Sequence, residues 1–192
     1  MNKPIRLIVG LGNPGMEYAS TRHNVGFSWV DSLAKQNNNV LRLEAKFHGM
    51  STKIRLYNQE LHLLKPQTFM NLSGRSVLAI AQFYKILPHE ILVIHDELDL
   101  PIGAAKLKFD GGHGGHNGLR DMSAKLASTA FWRLRLGIGH PGDKTQVANY
   151  VLKPATLDEQ ISIDLAIDRS MRVLPEIMAG DFAAAMQKLH SL

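Results

Sequence analysis

Strands and helices alternate along this chain, which predicts an α/β fold. The expected form is a single three-layer domain over residues 1–192, with a twisted mixed, mostly parallel sheet flanked by helices. Three observations carry that expectation. The apolar runs LIVG at 7–10 and ILVI at 91–94 read as strands buried on both faces. Apolar residues at helical spacing lie between them. A segment of strict alternation, 41–64, adds antiparallel strands to the parallel pattern.

Residues 5–11 form the first expected strand, and Asn13-Pro14-Gly15 a turn after it. A helix follows over 24–36, with Val25, Trp29 and Leu33 on one face. Within 41–64, Ile54, Leu56, Leu61 and Leu63 alternate around a turn at Asn58-Gln59. Residues 73–84 read as a helix, and 90–94 as a second apolar strand running into His95-Asp96-Glu97. A strand over 104–109 leads through a glycine-rich loop to a helix over 119–127. RLRLGIG at 133–139 alternates charge with bulk, as a half-exposed strand does. Helices over 157–174 and 181–189 close the chain. Sheets of this kind hold ligands at the carboxyl ends of their strands. The loops after Leu11, Ile94 and Phe109 sit at such ends.

Composition excludes several classes of function. With 192 residues, 45% hydrophobic and 20% charged, the chain can bury a core of its own. It has no cysteine, so disulfides, thiolate metal sites and a cysteine nucleophile are out. No run approaches the roughly 20 apolar residues of a membrane span, and the apolar run behind Lys3 and Arg6 is too short for a signal peptide. A soluble cytoplasmic protein is expected. The net charge is +5, and residues 103–153 carry eight Lys or Arg against three Asp, which accounts for all of it. A basic segment of this kind suits a polyanion, or forms a solvated face.

Glycines at 10, 12 and 15 match G-x-G-x-x-G, the pattern that cradles a dinucleotide pyrophosphate. The context does not match. The fingerprint needs a helix opening inside the glycine loop, whereas Pro14-Gly15 favours a turn and the helix begins near Asn24. Asp31, at the distance of the ribose-binding acid, falls in mid-helix.

The loops instead carry carboxamides and imidazoles. Asn13, Tyr18, Arg22, His23 and Asn24 follow the first strand; Phe69-Met70-Asn71 precedes one helix and His113–Asn117 another. A carboxamide both donates and accepts, so it can pair with peptide backbone whatever the side chains. Asn71 and Asn117 also suit helix N-caps. There is no G-x-S-x-G elbow. His113 and His116 have no carboxylate companion nearby in sequence, so no metal site is expected. General-base chemistry on water remains. His23 is the candidate base, because the positive end of the following helix lowers an imidazole's pKa. Asp96, at the mouth of ILVI, is placed to fix its tautomer. A non-catalytic RNA-binding module stays open as the alternative.

LIVGLGNPG, EYASTRHNVG, KPQTFMNLSG, HDELDLPIGAAKLKFDGGHGGHNGLRD and FWRLRLGIGHPGDK, in that order and spacing, resemble the bacterial-type peptidyl-tRNA hydrolases. The resemblance runs from about Ile5 to Leu152 and continues behind it. It implies a monomeric, cofactor-free enzyme that cleaves the ester between a peptide and the 3′ ribose of tRNA. His23 then matches the catalytic histidine and Asp96 the aspartate orienting it. Asn13, Asn71 and Asn117 match cleft asparagines; Tyr18, Met70 and His116 match further cleft residues. Lys106, Lys108 and Arg135 match positions linked to tRNA phosphate. On strands, Lys106 and Lys108 share a face, as do Arg133 and Arg135, so cations project together. The opening glycines are then expected to let backbone approach a peptide. Residues 127–131 are shorter than in some relatives.

Overall fold

A computed structural model describes residues 3–191. In chain order the elements are β1 (Leu7–Gly10), α1 (Val25–Gln36), β2 (Arg42–Glu44), β3 (Gly49–Leu56), β4 (Gln59–Pro66), α2 (Ser73–Tyr84), β5 (Ile91–Glu97), β6 (Ala105–Phe109), α3 (Asn117–Leu126), β7 (Trp132–Gly137), α4 (Val147–Val151), α5 (Leu157–Met171), α6 (Leu174–Met178) and α7 (Phe182–His190). One seven-stranded sheet has the order β2-β3-β4-β1-β5-β7-β6. Its four central strands, β4, β1, β5 and β7, run parallel. The edges are antiparallel, through β2–β3–β4 on one side and β6–β7 on the other. This is the mixed, mostly parallel sheet that the apolar runs predict.

Alternation along the strands sorts side chains onto two cores. Ile8, Leu92 and Ile94 face Trp29 and Val30 of α1 and Ile163, Ile177 and Phe182 of the C-terminal helices. Leu7, Val9 and Val93 face Val77 and Ile80 of α2 and Leu119 and Met122 of α3. The consequence for function is geometric. On β5 the even-numbered Asp96 continues the α1 side of the sheet, and the odd-numbered His95 continues the α2/α3 side.

The glycines of the opening stretch meet a demand within the fold itself. A Cβ at Gly10 would strike the Gly26 carbonyl of α1, and one at Gly26 would strike backbone of Leu11 and Ile94. A Cβ at Gly12 would press the Phe27 ring at 2.7 Å. These glycines bring the start of α1 down onto the ends of β1 and β5, a close approach of helix to strand. The segment before α1 is tied from the other side. Arg22 pairs with Glu159 at 3.0 Å, donates to the Tyr150 carbonyl at 3.0 Å, and lies 4.0 Å over the Tyr150 ring. Trp29 Nε1 donates to Ser170 Oγ at 2.9 Å, joining α1 to α5.

Several boundaries differ from expectation. The β3–β4 hairpin turns at Tyr57-Asn58, one residue early; both have positive φ, 49° and 62°, as a two-residue turn of primed type needs. The long helix expected over 157–174 ends at Met171 and restarts at Leu174, with Pro175 in the first turn of α6. The first strand is confined to Leu7–Gly10, and α3 starts two residues early. The short helix α4 carries no clear signal in the sequence.

Candidate active site

His23 ends the approach to α1 in a 3₁₀ turn, Arg22–Asn24, and Asp96 lies near the carboxyl end of β5. Their separation along the chain is 73 residues, yet His23 Nδ1 lies 2.8 Å from Asp96 Oδ2. His116 Nε2 lies 2.8 Å from the other oxygen, Oδ1. The carboxylate, 3% exposed, sits between two imidazoles.

Hydrogen bonding fixes the tautomers. His116 is the N-cap of α3, and its Nδ1 accepts from the backbone N–H of Gly118 and Leu119 at 3.1 and 3.3 Å. Its proton is therefore on Nε2, which donates to Asp96. An ionised carboxylate only accepts, so His23 donates from Nδ1 and its Nε2 carries the free lone pair. That nitrogen has no protein partner among the described residues, and the side chain keeps 11% of its surface exposed. Burial by itself would lift the Asp96 pKa. Electrostatic attraction to His23 and His116 and their hydrogen bonds outweigh it, holding the acid well below the usual carboxylate range. For His23 burial pulls downward, but the Asp96 charge and hydrogen bond win, so its pKa is raised above 6.5. The expected lowering by the helix dipole is overturned: a carboxylate in contact outweighs the half-charge of a helix end.

His23, Asp96 and His116 also have ligand atoms within 4.8 Å of one another, close enough for a metal ion. His116 thus does have a carboxylate companion, which the sequence hid by placing it twenty residues away on a strand. The facing atoms are engaged in hydrogen bonds, with Nε2 of His116 protonated, and the three groups form a proton-bearing chain.

The carboxamides meet around this chain in distinct ways. Asn13 is buried; its backbone N–H donates to Asn24 Oδ1 and its carbonyl accepts from Asn24 Nδ2, both at 2.9 Å. Its own Oδ1 accepts from the Met70 backbone N–H at 2.8 Å, which leaves Nδ2 as a donor without a protein acceptor among the described residues. Met70 is buried against the start of α3, where a Cβ at Gly118 would meet both its sulfur and Leu11. Neither expected N-cap forms. Asn71 is exposed within the 3₁₀ turn Met70–Leu72, and Asn117 is the exposed first residue of α3, since His116 takes the capping position. The Tyr18 ring meets Phe69 edge-on at 6.4 Å, and the His23 and His116 rings are 5.1 Å apart. Loops after β1, β4 and β6 thus converge on the end of β5.

The basic positions lie outside this cleft, on β6 and β7. Lys106 and Lys108 are exposed while Ala105 and Leu107 are buried, so the two lysines share one face. Cross-strand register places Lys106 opposite Arg135 and Lys108 opposite Arg133. The arginines are committed differently. Arg135 Nε binds Glu97 at 2.8 Å, and Arg133, 2% exposed, donates to the carbonyls of Gly111 and Gly112. Arg133 is therefore a brace for the glycine loop rather than a surface cation.

Two contributions escape the sequence reading. Asn24 is legible in the sequence as one of the loop carboxamides, but its clamp on the Asn13 backbone is not. His95 reads only as the end of a strand.

An α/β sheet whose carboxyl ends gather a histidine–aspartate–histidine chain and free carboxamides defines a protein of the hydrolase class. The peptidyl-tRNA hydrolase family profile matches residues 7–192. A peptidyl-tRNA hydrolase from Nitrosomonas europaea is 57% identical over 191 residues, covering 100% of this chain and 98% of that one. The crystal structure of peptidyl-tRNA hydrolase from Acinetobacter baumannii superposes with a TM-score of 0.94 at 47% identity, covering 96% of this chain and 94% of that one. This chain belongs to the peptidyl-tRNA hydrolase family.

Proposed function

We propose that this chain hydrolyses the ester joining a peptide to the 3′ ribose of tRNA, using water as the nucleophile and His23 as the general base. The observation that carries the reading is the Asp96 bridge, 2.8 Å to His23 on one oxygen and 2.8 Å to His116 on the other, next to the clamped carboxamide of Asn13. Water bound at His23 Nε2 attacks the ester carbonyl carbon, and its proton passes to Nε2. Asp96 stabilises the imidazolium that forms and holds the ring in place. The carbonyl oxygen becomes an oxyanion, for which Asn13 Nδ2 is the supporting donor, since Oδ1 is taken by Met70. The intermediate then breaks its bond to O3′, and the imidazolium returns the proton to that leaving oxygen.

Asn71, Asn117, Tyr18 and Met70 serve this reading as peptide and 3′-end contacts. Lys106 and Lys108, with the guanidinium of Arg135 beyond its Glu97 contact, serve it as phosphate contacts. The resemblance further supports a monomer of residues 1–192 working in the cytoplasm without a cofactor. No helix among the described residues is long and apolar enough to cross a membrane. Labelled peptidyl-tRNA given to wild type and to His23→Ala tests the assignment. Release of peptide by the first and not the second is expected; tRNA binding without release by wild type would make this a binding module instead.

A further inference from the structure

His95 is 1% exposed and plays no part in the mechanism above. Its Nδ1 lies 2.8 Å from the backbone carbonyl of Asp96, and a carbonyl only accepts, so Nδ1 carries the proton. Nε2 is then a bare acceptor, and it is buried without a hydrogen-bond partner. Leaving such an atom unpaired costs about 1–3 kcal/mol, so an apolar ring would suit the place better if packing were its only task. The ring lies edge-on to His116 at 5.2 Å, under the imidazole that holds Asp96 Oδ1. It also lines a cavity of about 230 Å³ between the glycine loop and β7. Lys108, Arg133, Arg135, His113, Glu97 and Asp99 are the charged or titratable groups around that cavity.

We propose that His95 is a positioning residue, donating from Nδ1 to the Asp96 carbonyl and backing His116, so that the end of β5 holds the Asp96 carboxylate on His23. It joins the catalytic chain to the wall of the basic cavity, and it rests on the functional reading given above. Position explains why the task falls here. Adjacent strand residues point to opposite faces, so His95 reaches the α3 side while Asp96 reaches the α1 side. A single ring can therefore brace the peptide unit that follows Asp96. The ring stays neutral there. Burial is the main cause, His116 and Arg133 add to it, and Asp96 opposes it less, so the pKa falls to about 3.

Two variants separate the ring's contributions. His95→Phe keeps the bulk and the edge contact with His116 but offers no donor to the Asp96 carbonyl. His95→Asn places an amide N–H near the position of Nδ1. On peptidyl-tRNA, His95→Phe is expected to lower kcat about tenfold with KM changed less than about threefold, and His95→Asn to regain roughly half of that loss or more. Imidazole nitrogen NMR gives readouts that need no substrate: wild-type His95 as the Nδ1–H tautomer at neutral pH, and a His23 titration midpoint that falls in His95→Phe. An Nε2–H tautomer, or a His95→Phe protein with wild-type kcat and an unmoved His23 midpoint, overturns the proposal. So does a His95→Asn protein no better than His95→Phe. If His95→Phe does not fold, the wild-type tautomer and the His95→Asn kinetics decide. If wild type proves inactive on peptidyl-tRNA, the functional reading fails separately, and the NMR results still judge His95.

Discussion

Asp96 is 3% exposed with both carboxylate oxygens taken, whereas two strands away Lys106 and Lys108 stand in solvent with no acid paired to them among the described residues. The same sheet builds both regions, and under the proposed function the contrast follows from the task of each. Proton transfer needs one geometry, held before substrate arrives, and burial supplies it by making every unsatisfied polar atom costly. A polyanion needs only charge within reach. Exposed lysines provide that, at low cost in stability and with strong dependence on salt. Arg133 and Arg135 stand between the two. Their partners, the loop carbonyls and Glu97, make them part of the frame as much as of the surface.

The comparison breaks most directly at His23. His23→Ala is expected to lower kcat on peptidyl-tRNA by about 10²–10⁴-fold, the range for a lost general base, with an unchanged circular-dichroism spectrum. Activity within a few-fold of wild type would remove His23 from the chemistry. Asp96→Asn is expected to cost about 10²-fold or more, since an amide cannot accept from both imidazoles.

Next comes stability at the helix–strand contact. Gly26→Ala places a methyl group against backbone of Leu11 and Ile94, which cannot yield as a side chain would. A loss of about 2–3 kcal/mol in denaturant unfolding is expected, together with lower activity, because α1 carries His23 towards Asp96. A neutral substitution would show that the glycines serve some other purpose.

The pH dependence sharpens the contrast further. In the proposed mechanism neutral His23 is the working form, and its pKa is raised, so the acid limb of kcat/KM is expected to turn above 6.5. The fold gains from the charged pair in the opposite sense: that stabilisation is complete below 6.5 and fades as pH rises through the folded-state value. In Asp96→Asn only burial remains of the main causes, and residual activity is expected to turn at a lower pH than in wild type. An acid limb that does not move would separate Asp96 from the titration of His23.

The smallest effects belong to the basic face. Lys108→Ala is expected to raise KM roughly three- to tenfold with kcat nearly unchanged, and to flatten the dependence of KM on salt. Lys106→Ala should act likewise and more weakly. A fall in kcat at constant KM would place these lysines in the chemistry instead.

The amino-acid pattern by itself determined the parallel core, because LIVG and ILVI can only be satisfied between two apolar layers. It also determined the order of the main helices and strands, α4 and the break before α6 apart, and the lysine pair on β6, since period and burial are local properties. His23 and Asp96 were legible as residue types at strand and helix ends. Tertiary structure alone decided that they touch, that His116 closes the other side of Asp96, and that His23 titrates high. It also decided that Arg133 faces inward and that Gly10 and Gly26 meet each other. Each of those is a contact between distant segments, set by how α1 and α3 dock on the sheet. An isolated run of residues cannot encode the field of a carboxylate brought from elsewhere in the fold.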